Sequence, residues 1–273
     1  MEINKKSTSK ALFKNTGIIA IGQISTKIVN FFLLPLYTAL LTTEEYGLVD
    51  LLITYAGLIA VIVGLQVFQA VFRFLVTIRE NKKECATAIS SIVLFTVLIL
   101  IVYTAIFVPI SKFITVKYSW FLLVYVVSNI LLQTFSSIVR GLGDNIQYAF
   151  ANFFSSAIIV VLNVFFIAIL RFDIGWMLIS YCIGPVLGAV YLILKCKLWN
   201  YISFSLYDWK FVKKVLCYAI PLIPNELSWS VIHSSDRWVI SMVLSYSANG
   251  LIAVASKFST IYTTFFSVFN TSW

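Results

Sequence analysis

The chain has 273 residues, of which 60% are hydrophobic and only 11% are charged. A soluble domain is typically about 45–50% apolar and about 25% charged, so this composition excludes an ordinary soluble protein and predicts a chain that lies in the lipid bilayer. The formal net charge is +9. In a soluble protein this excess would suggest nucleic-acid binding. In a membrane protein it is typical of positively charged cytoplasmic loops, and we expect no nucleic-acid partner.

The N-terminal fifteen residues, MEINKKSTSKALFKN, are polar and basic, and a long apolar run follows them. That run is too long for the core of a signal peptide and does not end in a small-residue cleavage site, so we interpret it as a retained first span. The four cysteines form no Cys-X-X-Cys or Cys/His spacing. We therefore expect no metal site and no cofactor.

Long apolar runs recur along the whole chain, and a membrane-spanning helix needs about 20 mostly apolar residues. Eight segments meet this requirement, at approximately residues 16–41, 48–75, 85–108, 120–139, 146–170, 176–194, 215–244 and 250–273. Backbone polar groups cannot be left unpaired in lipid, so these segments must be helices. The predicted fold class is an all-α polytopic membrane protein with about eight transmembrane helices.

The positions of lysine and arginine predict the orientation of these helices. If the N-terminus is cytoplasmic, the inside segments hold thirteen basic residues and the outside segments hold three. Basic residues are enriched in cytoplasmic loops, and the first outside connection, TTEEYG, is acidic. We therefore predict a multi-pass protein with a cytoplasmic N-terminus.

The longest connection, KCKLWNYISFSLYDWKFVKK at residues 195–214, interleaves aromatic side chains with lysines. This mixture is typical of a segment that lies on the inner leaflet. The connection also marks a boundary. We predict a six-helix lobe over residues 1–195, an amphipathic cytoplasmic linker over 196–214 and the start of a second helical lobe over 215–273.

A weak internal repeat supports this boundary. The sequence YGLVDLLITYAGLIAV, after the first outside turn, is similar to NGLIAVASKFSTIYTT, after the last one. The similarity places Gly47 and Gly250 in equivalent positions, 203 residues apart. Because repeated halves are common in transporters, we hypothesise two related lobes.

Ionisable groups within the spans or near their ends are the candidate functional residues, because a charge at the bilayer centre costs about 2.5–3.5 kcal/mol and must face protein or water. They are Lys27, Asp50, Arg73, Glu226, His233, Asp236, Arg237 and Lys257. Asp50 and Arg73 lie near span ends, where the alternative is snorkelling to the interface. Lys27 lies about eleven residues into its span, so we expect it in an aqueous cavity.

The seventh span carries four of these eight groups and is predicted to be bent, because two prolines in the sequence IPLIPNE interrupt its helix. The positions that share one helical face beyond the bend are Glu226, Ser230, His233 and Arg237. Asp236 lies beside this face and points about 100° away from Arg237, so a direct pair between the two is poorly placed. The face either lines a cavity or packs against protein.

Two glycines in the sixth span, Gly184 and Gly188 in the sequence GPVLG, are four residues apart. Small residues at this spacing let two helix backbones approach closely. The pattern predicts a helix-packing contact rather than a ligand site.

Several of these segments, taken in their order, resemble a known family. They are KNTGIIAIGQISTKIVNFFLLPLYTALLTTEEYGLVDLL at the first span and turn, RGLGDNIQYA between the fourth and fifth spans, YAIPLIPNELSW and SSDRWVI in the seventh, and NGLIAVASKF at the eighth. The chain resembles the oligosaccharide repeat-unit flippases, the polysaccharide-exporter branch of the multidrug/oligosaccharidyl-lipid/polysaccharide superfamily.

The resemblance implies a transporter of the bacterial inner membrane, not an enzyme, with two six-helix lobes around a central cavity. It implies that polyprenyl-pyrophosphate-linked oligosaccharides move from the inner to the outer leaflet by alternating access, for surface polysaccharides such as O-antigen or capsule. The partners would be this substrate, membrane lipid and glycan polymerase machinery. The residues expected to bind substrate are Lys27, Arg73, Glu226, His233, Asp236, Arg237 and Lys257. Arg237 and Lys27 would supply positive charge for the pyrophosphate.

The sequence departs from this family in its length, since it stops within the eighth span. The second lobe then has two helices instead of six. We expect the chain to be part of a longer transporter and not to support export by itself.

Other functions are left open. A cation-coupled multidrug exporter of the same fold would use Asp50 or Glu226 as a cation or drug site. A membrane scaffold in a glycan-assembly complex is a further alternative. A polysaccharide polymerase needs a catalytic surface on the outer face, and outside connections of only about four to nine residues argue against it.

The predicted orientation can be tested with single cysteines in a cysteine-free background. A membrane-impermeant thiol reagent added to intact cells should label Glu44→Cys, because TTEEYG is predicted to be external. It should leave Asn81→Cys unlabelled until the cells are permeabilised. The opposite labelling pattern would invert the topology.

Overall fold

The computed structural model describes residues 34–113, 117–257 and 259 of the chain. These residues form helices joined by short turns, and they contain no strand. Five of the described helices are long and apolar enough to cross a membrane, or six if one bent pair is counted as a single span. The predicted fold class, an all-α polytopic membrane protein, is therefore confirmed. Most of the first predicted span, and the end of the eighth, lie outside the described residues.

The described helices follow one another in the order of the predicted spans. They are α1 (Leu34–Leu40), α2 (Thr43–Val63), α3 (Val67–Ile78), α4 (Lys82–Ser111), α5 (Ser119–Gly141), α6 (Asn145–Asn163), α7 (Ile174–Lys195), α8 (Trp209–Ala219), α9 (Leu222–Val243) and α10 (residues 246–257). A π-helical segment, Val164–Ile169, extends α6, and two 3-10 turns, Leu198–Tyr201 and Phe204–Leu206, connect α7 to α8.

The centre of the bundle is α5, which packs against α2, α3, α4, α6 and α7. Its side chains Phe121, Val126 and Ile138 are fully buried. The outward faces of the surrounding helices stay apolar, with Ile101 and Val161 more than half exposed. Since protein packs on one side and apolar side chains face out on the other, this is the arrangement expected of a bundle solvated by lipid.

Several of the described helices begin at a capping side chain. Thr42 and Glu45 form a capping box at the start of α2, in which each side chain binds the other residue's backbone N–H. Asn81, Asp144 and Asp208 cap α4, α6 and α8. The acidic sequence TTEEYG is therefore explained by the N-terminus of a helix, where carboxylates are stabilised by unpaired N–H groups and the helix dipole.

The second predicted span, residues 48–75, is not one continuous helix, so that part of the prediction is wrong. The chain breaks between α2 and α3, where Leu65 and Gln66 adopt left-handed backbone conformations with φ of 49° and 52°. Gln66 is almost fully buried, and its side-chain oxygen accepts a hydrogen bond of 2.9 Å from Gln69 Nε2. The helix stops because left-handed residues cannot continue a right-handed helix.

The bend predicted in the seventh span is confirmed. The chain changes direction by 44° between α8 and the first part of α9, at the proline-containing sequence Ile220–Pro221. Helix α8 begins at Trp209, inside the segment predicted as a linker. The division of the chain into two lobes and a linker stays a prediction.

The connections gather at two ends of the bundle in the groups that the charge count predicts. The turns before α2 and before α10 meet, since the Thr43 and Ser247 hydroxyls lie 2.7 Å apart. At the other end, the segment after α7 is bound to the start of α4 through Ser90 and Tyr201. We call these the predicted outer end and the predicted inner end, because the side of the membrane that each faces stays a prediction.

The predicted packing role of Gly184 and Gly188 is confirmed. A Cβ atom added to Gly184 would lie 2.7 Å from the Ser155 backbone oxygen, and one added to Gly188 would lie 3.1 Å from Ser155 Cβ. Helices α6 and α7 are thus in backbone contact at this point. The close approach needs glycine because any side chain would push the two helices apart.

Substituting Gly184 by alanine should therefore destabilise the bundle. Overpacking of a tight contact costs about 1–3 kcal/mol, so we expect a lower midpoint of thermal unfolding in detergent. Gly57→Ala is the matched control, since a Cβ at Gly57 would meet no atom within 4 Å. Equal unfolding midpoints for the two variants would contradict the contact.

Candidate functional site

A pocket of about 640 Å³ lies at the predicted inner end, between α3, α5, α6 and α8. We call it the basic pocket. Its lining residues are Phe68, Gln69, Phe72, Arg73, Val76, Thr77, Gln133, Ser136, Ser137, Arg140, Tyr148, Asn152 and Tyr218. The exposed side chains of Arg73, Val76 and Thr77 bring the pocket to the protein surface. A ligand could therefore enter it from the predicted inner end.

Two arginines on neighbouring helices supply the positive charge of this pocket. The Arg140 guanidinium lies 4.2 Å from the centre of the Phe72 ring and 5.4 Å from that of Tyr148. The Arg73 guanidinium lies 4.5 Å from the centre of the Tyr218 ring. Stacking on an aromatic ring holds the plane of a guanidinium in place and leaves its N–H groups at the edge, where they can bind phosphate oxygens.

The positive charge of the basic pocket is not offset by any described residue that lines it. None of the described residues that line it is acidic. Most described carboxylates lie at helix N-termini, as shown above for Glu45, Asp144 and Asp208. Within the described residues, no group of three or more His, Cys, Asp or Glu side chains could hold a metal ion. The pocket is suited to an anion that also carries hydrogen-bonding groups.

A short chain of polar contacts leads from the basic pocket toward the middle of the bundle. Gln69, which lines the pocket, donates a hydrogen bond of 3.1 Å to Glu226 on α9 and one of 2.9 Å to Gln66. Glu226 is therefore adjacent to the pocket, held by an amide rather than by a cation. Arg237 lies eleven residues further along α9, about 16 Å toward the predicted outer end at 1.5 Å per residue.

At the predicted outer end α2 and α10 are in contact, and we call these contacts the outer seal. Thr43 pairs with Ser247, and Asn249 donates a hydrogen bond of 2.9 Å to the Gly47 oxygen. A Cβ at Gly47 would lie 2.8 Å from the Gly250 nitrogen. The two glycines that the repeat placed in equivalent positions thus meet, as expected if a pseudo-twofold axis passes between them.

An ion pair lies directly below the outer seal. Arg237 on α9 forms a salt bridge with Asp50 on α2, and its second terminal nitrogen donates a hydrogen bond of 2.9 Å to Ser256 on α10. The side chains of Arg237 and Asp50 are only 17% and 12% exposed. One guanidinium therefore joins three helices, and its charge is matched by a single carboxylate.

The remaining predicted residues are placed as follows. Asp236 is exposed and, among the described residues, forms no ion pair with Arg237, as the helical geometry predicted. Lys257 is half-buried near the end of the described part of α10. Lys27 lies outside the described residues, and so does the side chain of His233, although its backbone belongs to α9. Their predicted roles stay predictions.

The sequence analysis did not identify Arg140 as a site residue, because it assigned this arginine to an inner loop. A signal was present. Polar residues recur on the fourth span at the positions Gln133, Ser136, Ser137 and Arg140. This spacing places them on one face of a helix, and all of them line the basic pocket. Their partners on α3, α6 and α8 follow only from the packing of the helices.

Solved structures with the same fold are transporters. A crystal structure of a MATE protein in complex with Br-NRF matches 93% of this chain and 64% of its own length, with a TM-score of 0.65 and 18% identity. A multidrug resistance MATE family transporter of the MOP superfamily, in an outward-facing conformation, matches 93% and 68%, with a TM-score of 0.63 and 19% identity. A MOP superfamily transporter from Pyrococcus furiosus matches with a TM-score of 0.55, at 18% identity over 92% of this chain and 65% of its own length.

These identities establish the fold alone, and the chain spans about 64% of the length of the first of these structures. A comparison with curated protein sequences gives no significant match. The model of the family described as "Polysaccharide biosynthesis protein" matches residues 12–273. Because that match extends over nearly the whole chain, the protein belongs to the polysaccharide biosynthesis protein family and has the fold of the MOP superfamily transporters.

Proposed function

We propose that this protein translocates polyprenyl-pyrophosphate-linked oligosaccharides from the inner to the outer leaflet for the synthesis of surface polysaccharide. The observation that carries the proposal is the basic pocket, which presents Arg73 and Arg140 and no carboxylate among its described lining residues. A pyrophosphate is the anion that lipid-linked sugars carry at the leaflet surface. Arginine binds phosphate oxygens in a bidentate manner, which suits this headgroup.

The rest of the pocket lining supports a sugar substrate. Amide and hydroxyl groups of Gln133, Asn152 and Ser137 can exchange hydrogen bonds with sugar hydroxyls. Because the pocket reaches the surface at the predicted inner end, the prenyl tail could stay in the lipid while the headgroup is bound. The family match is in keeping with this substrate class.

The arrangement of pocket and seal supports alternating access. The basic pocket is accessible at the predicted inner end, while α2 and α10 are in contact at the other end. With the predicted orientation, this corresponds to an inward-facing arrangement. On this account Arg237 first serves to hold the outer seal through Asp50, and its charge becomes available to the substrate only when the seal opens.

A cation-coupled multidrug exporter is a second candidate, because the solved structures of the same fold include a multidrug transporter. The carboxylates available to it are Asp50 and Glu226, and Glu226 lies beside the basic pocket. A lipophilic cation would have to bind next to two arginines, however, and like charges repel strongly in a medium of low dielectric constant. The charge of the bound ligand therefore distinguishes the two functions.

The purified chain should bind undecaprenyl pyrophosphate, and Arg73→Gln and Arg140→Gln should each weaken binding. A lost charge-assisted hydrogen bond costs about 1.5–3 kcal/mol, so we expect the dissociation constant to rise by about tenfold or more for each variant. Native mass spectrometry or thermophoresis in detergent measures this change.

Arg79→Gln is the matched control, since Arg79 follows α3 directly but does not line the pocket. Its affinity should remain that of the parent protein. Tight binding of a lipophilic cation such as ethidium, lost in Glu226→Gln and unaffected in the arginine variants, would instead identify the multidrug exporter.

A disulfide across the outer seal should form readily in a cysteine-free protein that carries Thr43→Cys and Ser247→Cys. The two hydroxyl oxygens lie 2.7 Å apart, so the introduced thiols can reach bonding distance. Because the seal is closed while the pocket is accessible, the cross-linked protein should still bind undecaprenyl pyrophosphate. Thiol alkylation followed by mass spectrometry measures the cross-link.

The control pair is Glu44→Cys with Ser247→Cys, which moves one thiol to the next position along α2, about 100° around the helix. It should cross-link slowly. Equal rates for the two pairs would show that the seal is not the resting contact. Loss of ligand binding on oxidation would contradict an inward-facing arrangement.

A further inference from the structure

The segment between α7 and α8 has two apolar faces. On its inner face, Leu198 and the α8 side chains Val212 and Val215 are fully buried against the core at the predicted inner end. Its outer face is the one that points away from the helix bundle. On this face the aromatic side chains Trp199, Phe204 and Trp209 are 47%, 84% and 54% exposed. The inner face is explained by packing, whereas the protein leaves the outer face uncovered within its described residues.

Hydrogen bonds from α4 fix this segment in place. Ser90 Oγ donates to the Tyr201 oxygen at 2.5 Å and accepts from the Ser203 nitrogen at 3.0 Å. Ser91 Oγ accepts from the Asp208 nitrogen at 2.8 Å. Both serines are fully buried. The aromatic side chains therefore project from a backbone held at three points, rather than from a free loop.

The outer face is also strongly basic. Residues 195–214 contain five lysines and one carboxylate, Asp208. That carboxylate caps α8 by accepting a hydrogen bond from the backbone nitrogen of Lys210. Lys210, Lys213 and Lys214 are exposed on the side of α8 opposite its buried face. Among the described residues, none of these lysines forms a salt bridge. Exposed aromatic rings thus alternate with unneutralised ammonium groups.

We infer that the outer face of this segment, residues 197–214, is a docking surface for the anionic headgroups of bilayer lipids. The segment joins two spans, so its level is that of the headgroups, where the amphipathic rings of tryptophan and tyrosine are stable. Lysines at that level attract anionic lipid. A flat bilayer surface can cover both kinds of group at once, whereas the described part of the chain covers neither.

This docking surface lies beside the basic pocket. Helix α8 carries the exposed lysines near its start and Tyr218, which lines the pocket, near its end. Lys214 also lies 4.9 Å from the ring centre of Phe74, which follows Arg73. Anionic lipids gathered here would stand beside the pocket opening. The inference itself does not depend on which substrate the pocket binds.

The test is to reconstitute the protein in nanodiscs of phosphatidylcholine with or without phosphatidylglycerol. A spin label at Phe204→Cys, in a cysteine-free background, reports depth through its relaxation by oxygen and by a water-soluble nickel chelate. We expect headgroup depth, and a deeper position when phosphatidylglycerol is present. Native mass spectrometry should show retained phosphatidylglycerol that falls by about fivefold for each of Lys210→Gln, Lys213→Gln and Lys214→Gln.

The matched control is the double variant Lys112→Gln, Lys117→Gln, because these lysines lie at the predicted outer end. This variant should retain phosphatidylglycerol fully. A label accessible to the nickel chelate in both bilayers would overturn the inference. So would unchanged phosphatidylglycerol retention in the lysine variants. A label shielded in cell membranes but water-exposed in nanodiscs would show that a protein partner covers this surface instead.

Discussion

The ion pair between Asp50 and Arg237 is the interaction on which the arrangement of the bundle depends. It joins α2 to α9, and Arg237 also holds α10 through Ser256. Both charged groups are mostly shielded from water, and separating them there would leave an uncompensated charge in a medium of low dielectric constant. The pair therefore keeps the three helices together, and the glycines above it let α2 and α10 approach until their backbones touch. The basic pocket lies at the other end of the bundle, between α3, α5, α6 and α8.

The chemistry of the basic pocket follows from where the chain places its few carboxylates. A membrane protein with eleven acidic residues uses several of them to cap helices, and Asp50 neutralises Arg237. Arg73 and Arg140 are stabilised in a different way, by stacking on Tyr218 and Phe72, which leaves their charge free for a ligand. Function resides in the site rather than in the fold. The sign of the charge in the pocket is thus a better guide to the substrate than the likeness to multidrug transporters.

The sequence analysis was most successful where one physical rule governs one segment. Hydropathy predicted the spans from the third to the sixth, and the prolines predicted the bend in the seventh. The spacing of Gly184 and Gly188 predicted a helix contact. The analysis was wrong at Gln66, where the left-handed backbone breaks an apolar run. Gln66 is buried and its side chain is hydrogen-bonded to Gln69. The sequence cannot distinguish such a glutamine from a polar residue that is tolerated inside a continuous helix.

The sequence by itself determined that this protein is a bundle of membrane helices, because the bilayer forces apolar segments to be helical. It also determined that the charged residues of the seventh span are unusual for a membrane helix, because a charge within the bilayer must face protein or water. Only the tertiary structure decided which partners the side chains of Glu226 and Arg237 have. Arg237 pairs with a carboxylate 187 residues away rather than with its neighbour Asp236, and Arg140 becomes a pocket residue because α3, α6 and α8 pack around it. The reason is physical: hydropathy and helical spacing act within one segment, whereas an ion pair or a pocket depends on side chains that only packing brings together.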